Sequence, residues 1–194
     1  GGEYGVILQR NRIVRQTRTG IKETPFEYDV ITPNVGCASK ASVIQYGRIV
    51  FFLSDTGWMA LRDGQDLQPI GHNAIDNTFN ASITEDDKER IWAAIDPVNN
   101  LAIFGIPGSP GRLWIYNFEL DRFATITATF QGLFYGRSVP TTLEGYAADN
   151  PDLDAATLSL DDESLRGGLK LFLVKDRKLH TLTGEALTAK WEWG

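Results

Sequence analysis

Between Ser42 and Gly64, three short apolar runs alternate with turn chemistry at Tyr46-Gly47, Asp55-Thr56-Gly57 and Asp63-Gly64. This spacing dictates an antiparallel β-meander, because Asp and Gly readily adopt the positive-φ turns that join neighbouring strands. The middle run, Ile49 to Leu53, is apolar without alternation. A strand of that kind needs cover on both faces. A sheet sealed on both sides and built of up-and-down hairpins is what a propeller blade wedged between neighbours requires. The expected fold is therefore all-β: a β-propeller-like array of antiparallel meander blades, complete or incomplete, with one long irregular arm.

The pattern recurs along the chain. Strands are expected at Tyr4 to Gln9, Arg12 to Thr17 and Phe26 to Thr32. The last of these alternates cleanly through Phe26-Glu27-Tyr28-Asp29-Val30 and should be half-exposed. Leu67 to Gly71 closes the second unit, and Pro69 limits it to an edge. Ile75 to Asp87 is polar and poorly periodic, with a short helical turn expected where Thr84 can cap the acids that follow it. A third unit has strands at Arg90 to Ile95, Leu101 to Gly105, Leu113 to Phe118 and Arg122 to Thr127, with Pro107-Gly108-Ser109-Pro110-Gly111 as its second turn. A last unit has strands at Leu169 to Lys175, Lys178 to Thr183 and Ala186 to Trp193. The candidate blades are 3–32, 42–71, 90–130 and 168–194 of a single domain spanning 1–194, with the arm at about 138–167. The expected core is Phe51, Phe52, Leu53, Trp58, Trp92, Phe104, Trp114 and Phe172.

Of the 194 residues, 42% are hydrophobic and 23% charged, enough for one all-β domain with a real core. The formal net charge of -6 argues against general nucleic-acid binding, which needs a surplus of Lys and Arg. The arginines at 10, 12, 15 and 18 read as solvated strand positions. One cysteine, Cys37, allows neither an intrachain disulfide nor a thiolate zinc site, and fits a reducing cytoplasm. No apolar run approaches the ~20 residues of a membrane helix, and the first residues do not carry the charged-then-apolar pattern of a secretion signal. The abrupt Gly1-Gly2 start followed by strand-like residues reads as a truncation.

Chemistry is sparse. His72 and His180 are the only histidines, and neither has flanking ligands at metal spacing. A Ser-His-Asp triad lacks its Gly-x-Ser-x-Gly elbow. Ser54-Asp55-Thr56-Gly57-Trp58 differs in spacing from the Asp-box of sialidase propellers. Asp152, Asp154, Asp161 and Asp162 form acidic clusters without EF-hand spacing, and read as a solvated loop. No phosphate-binding glycine loop is present. No catalytic, cofactor-binding or metal-binding residues are expected, and no cofactor. The acidic residues and the Trp191/Trp193 pair, spaced to point the same way on a strand, are the candidate interaction surface.

One family carries a similar order of short motifs. The run Val35 to Ile44 leads into Phe51-Phe52-Leu53-Ser54-Asp55-Thr56-Gly57-Trp58 and Pro69-Ile70-Gly71. Ala94-Ile95-Asp96-Pro97, Leu113 to Phe118 and Arg122-Phe123 follow. Then come Leu143, Asp152-Leu153-Asp154, Gly167-Gly168-Leu169, His180 to Gly184 and the Glu185 to Ala189 tail. Over nearly its whole length the chain resembles virion structural proteins of tailed phages and prophages, of the kind termed tail hub or packaged-DNA stabilisation proteins. The resemblance implies a non-enzymatic, β-propeller-like component of the head-tail or tail hub region. It also implies assembly as a homo-oligomeric ring, contacts to other virion proteins, and localisation in a virion put together in the bacterial cytoplasm. Relative to that family, this chain is expected to lack an N-terminal portion. The rival expectation is a carbohydrate- or surface-binding propeller with weak hydrolase activity, using Trp191 and Trp193 as a sugar platform.

Overall fold

The computed structural model describes residues 4–71, 74–149 and 167–181. Within them the chain forms four antiparallel sheets, none closed into a barrel. The first sheet has order β1 (Tyr4–Leu8), β2 (Ile13–Arg18) and β3 (Phe26–Thr32). The second has order β4 (Ile44–Tyr46), β5 (Ile49–Ser54), β6 (Gly57–Arg62) and β7 (Asp66–Pro69). The third contains β8 (Trp92–Asp96), β9 (Leu101–Ile106), β10 (Gly108–Asn117) and β11 (Arg122–Phe130). The fourth joins β12 (Gly132–Ser138), β13 (Gly168–Lys175) and β14 (Lys178–Thr181). The all-β expectation holds at this level. Three helices, α1 (Ala74–Ser82), α2 (Glu85–Glu89) and α3 (Leu143–Asp149), lie in the connections.

Several hairpin turns fall where the sequence places them. Asp63-Gly64 and Asp176-Arg177 both have positive φ at two successive residues, the pairing whose twist matches that of the flanking strands. The two-residue loop Asp55-Thr56 fixes the β5–β6 register at Ser54↔Gly57, Leu53↔Trp58, Phe52↔Met59 and Phe51↔Ala60. Pro69 ends edge strand β7.

The sheets stack face to face in chain order. Because successive side chains on a strand point to opposite faces, the apolar run of β5 serves two cores. Phe52 packs with Met59, Leu61 and Ile13 toward the first sheet, where Val6, Leu8 and Ile31 complete the layer. Phe51, Leu53, Trp58 and Ala60 face Ala102, Phe104, Trp114 and Tyr116 of the third sheet. The third sheet is likewise two-sided: Ala94, Ile103, Leu113 and Phe130 pack with Leu133, Leu171 and Leu173 of the fourth. The opening strands of successive sheets lie close together, β4 against β8 and β8 against β12.

The structure corrects several expectations. Residues 74–82 form a helix where the sequence is polar and poorly periodic. Phe79 is fully buried from it and Ile75 is partly buried, an i, i+4 pair that carries the helix onto the core. The fourth sheet begins before the arm: β12 pairs with β13 from Gly132↔Val174 to Ser138↔Gly168. No turn signal marks so distant a pairing. Gly108–Asn117 is one strand with a bulge between Gly108 and Gly111, where a turn was expected. The outer strand β3 is exposed on both faces from Phe26 to Val30, not half-buried. Trp92, placed in the core by its hydrophobicity, is 45% exposed. It opens edge strand β8 opposite Gly105 and lies over Gly132. Phe172 is half-buried.

Asp76 of α1 is buried and accepts the Trp58 backbone N–H at 3.0 Å. A Cβ at Gly57 would come within 2.3 Å of its carboxylate carbon, and one at Gly71 within 1.8 Å of Oδ1. Gly57 also has φ 130°, so both the conformation and the space at that turn demand glycine. The expected Thr84 cap is present as a reciprocal capping box with Asp87.

Trp58→Ala should cost about 3–5 kcal/mol in urea unfolding, as an aromatic deletion from a core that cannot collapse around it. A loss below about 1 kcal/mol would contradict the two-sheet packing around this ring. Thr84→Ala should cost about 1 kcal/mol in the same measurement.

Candidate interaction surfaces

Several carboxylates and side-chain amides of the described residues hold turns and helices. Asp96 accepts the N–H groups of Val98 (3.0 Å) and Asn99 (3.2 Å) together with the Asn99 amide (2.7 Å). Asn117 caps the next turn by accepting from Glu119 and Leu120. Asp76 holds Trp58, and Asp87 closes the capping box. Thr84 hydrogen bonds, backbone first, hold the Asp87 carboxyl below the usual range. Burial pushes the Cys37 thiol up, and it donates to the Ser39 carbonyl at 3.0 Å. A protonated thiol of that kind is a poor nucleophile. Ser54 Oγ accepts from Thr56 N–H at the β5–β6 turn. Among the described residues, no group of three or more His, Cys, Asp or Glu is placed to hold a metal ion. His180 is exposed on β14, opposite Leu173; His72 lies outside the described residues.

Of the residues singled out for interaction, Asp152, Asp154, Asp161, Asp162, Trp191 and Trp193 all lie outside the described residues. Phe51, Phe52, Leu53, Trp58, Phe104 and Trp114 are buried between sheets. Phe172 stacks on Phe134, with ring centroids 5.4 Å apart, on the outward side of the fourth sheet.

Two kinds of surface stand out among the described residues. The first is a groove of about 640 Å³ beside exposed Trp92, lined also by Arg90, Ser109, Thr129, Gln131 and Asp176. It combines one aromatic face with hydrogen-bonding side chains of both charges.

The second kind lies at the two ends of the stack. On the first sheet, the register Ile7↔Val14↔Val30 and the pair Gln16↔Tyr28 put these side chains on the face away from the second sheet. Phe26 extends this face opposite Arg18. Tyr28 is 58% and Val30 55% exposed. Gln16 donates to the Tyr28 hydroxyl at 3.1 Å, which steadies that ring on the surface. On the fourth sheet, Leu133 and Leu173 point inward, so the alternate pairs Phe134↔Phe172 and Val174↔Leu179 point outward. Leu179 is 62% exposed. Among the described strand residues, each face carries one charged side chain, Arg18 on the first and Lys170 on the fourth. Sequence reasoning placed the interaction surface in the acidic arm and the terminal tryptophans and passed over both faces. The alternation through Phe26, Tyr28 and Val30 was the available signal.

No protein-family model matches the chain, and no curated protein matches it.

Tyr116, buried between the second and third sheets, donates to Asp121 Oδ1 at 2.8 Å. Burial first, and then the bond to this carboxylate, pushes its ionisation well above the usual tyrosine range. Folding therefore disfavours tyrosinate. The resulting stability is complete below the unfolded tyrosine pKa of about 10 and is lost as pH rises from there through the higher folded value. Tyr116→Phe should be about 1 kcal/mol less stable than the parent at pH 8. Between pH 8 and pH 11, urea unfolding should show the parent losing more stability than the variant. Equal losses would show that Tyr116 does not contribute to the alkaline transition.

Proposed function

We propose that this chain is a non-catalytic structural protein that acts through protein–protein assembly, its stacked sheets forming a rigid scaffold. The observation that carries the reading is the pair of outward apolar faces at the ends of the stack, exposed where a monomeric protein would place charge. Further support comes from the carboxylates described above, which are engaged in turns, a cap and a sheet–helix tie. The sheet arrangement supports a propeller-like reading: four meanders in chain order, with opening strands β4, β8 and β12 side by side. In a propeller the opening strands line the central axis.

The setting proposed is the one implied by the sequence resemblance, the head-tail or tail hub region of a tailed-phage virion. There the chain would contact other virion proteins and copies of itself. The acidic balance suits a wall past which DNA must slide without sticking.

A second reading rests on the Trp92 groove. An exposed indole flanked by Arg90, Gln131 and Asp176 has the mixed aromatic and polar character that stacks and orients a sugar ring. It makes the protein a carbohydrate-binding module.

Size-exclusion chromatography with light scattering, run beside a glycan array, separates the two. The assembly reading expects a mass that rises with protein concentration and no specific glycan binding. Specific glycan binding by a monomer, abolished by Trp92→Ala, would overturn it in favour of the second reading.

A further inference from the structure

We propose that the outward face of the first sheet in one copy packs on the outward face of the fourth sheet in another, a head-to-tail contact that continues the stack from chain to chain. This rests on the assembly reading and specifies the surfaces it uses.

The argument starts from the polarity of the internal interfaces. Three of them exist, first on second, second on third, and third on fourth. In each, the later-facing side of one sheet meets the earlier-facing side of the next. The outward face of the fourth sheet is a later-facing side with no described sheet beyond it. The outward face of the first sheet is an earlier-facing side with no described sheet before it. Pairing the two repeats the internal polarity, whereas pairing either face with its own copy reverses it.

The chemistry of the faces agrees with a sheet as occupant. Val14, Tyr28, Val30 and Ile7 on one side, and Phe134, Phe172, Val174 and Leu179 on the other, stand at alternate strand positions. They offer the same aliphatic and aromatic relief that fills the internal layers. Both sheets contribute three described strands. Three strands of about six residues make a face of roughly 15 by 20 Å. With side-chain relief the contact buries roughly 1,000 Å² in total, at the low end for specific interfaces. Association should therefore depend on concentration. Arg18 and Lys170 are both cations, so the contact gains nothing from ion pairing across these faces and should not weaken in salt. A head-to-tail contact is heterologous: it closes into a ring when the rotation per copy permits, and otherwise propagates as a filament.

The test uses the full 194-residue chain. Tyr28→Lys with Val30→Lys alters the first face; Phe134→Lys with Leu179→Lys alters the last. All four positions are exposed, so folding should survive, as checked by circular dichroism and the unfolding midpoint. If the last-face variant unfolds early, Leu179→Ser alone replaces it. Light scattering should show the parent growing in mass with concentration, at 500 mM as at 50 mM sodium chloride. Each variant alone should stay monomeric. An equimolar mixture of the two should give a dimer that grows no further, since each supplies the intact face the other lacks.

Variants that still dimerise alone would overturn the head-to-tail pairing while leaving assembly standing. A mixture that stays monomeric beside an associating parent would do the same. So would association that weakens in salt. A parent that stays monomeric to several hundred micromolar would bring down both the pairing and the assembly reading. In that case, a stability loss in the first-face variant would place the covering segment within the same chain.

Discussion

The contact on which the architecture depends is the aromatic cluster between the second and third sheets. Trp58 stacks on Phe104 with ring centroids 4.0 Å apart. Phe79 of helix α1 meets both Trp58 (4.9 Å) and Trp114 (4.8 Å) edge-on. Edge-to-face and offset contacts are favourable beyond the area they bury, because the positive rim of one ring meets the negative face of another. Four large rings from two sheets and a helix thereby fix the spacing of the central layer. The Asp76 carboxylate fixes the helix in turn, leaving the Phe79 ring little freedom to slide. The outer layers are built onto the far sides of these two central sheets.

The legibility of the chain followed the range of its interactions. The first three sheets were readable because each is a local meander whose turns announce themselves in Asp, Asn and Gly. Thr84 was readable because a cap acts within one helical turn. What escaped was set by contacts distant in sequence. β12 looks like unattached chain until β13 arrives some thirty residues later. The helix at Ala74–Ser82 contains polar Asn and Thr that hide its short Ile75–Phe79 stripe. Trp92 departs from the expected core because hydrophobicity reports what a side chain prefers, not where the fold places it. The candidate surfaces were harder still. A strand with an open face has the same alternating pattern as one facing a core, so Phe26, Tyr28 and Val30 can be assigned to a strand but not to an open face.

The proposed function and the fold draw on one use of residues. A catalytic site needs polar groups left deliberately under-satisfied and aimed at a substrate. In this chain Asp76, Asp96, Asn117 and the Thr84–Asp87 pair are each consumed in making a turn, cap or tie. The open sheet faces at the ends of the stack carry apolar side chains, among them Tyr28, Val30, Phe134 and Leu179. Flat faces suit the large and repetitive contacts of an assembly better than the concave pockets that small ligands prefer.

The serial stacking also bears on how the molecule comes apart. Each inner sheet is stabilised by two neighbours, and each end sheet by one. Energetics of this kind resemble a one-dimensional chain of coupled units, in which opening starts where coupling is single. Amide protons of β5, β6, β9 and β10 would then exchange only with full unfolding, while those of β3 and β14 exchange through fraying of the ends. A contact that covers the terminal faces would flatten this gradient, so occupancy of those faces would be written in the exchange rates of strands that touch no partner at all.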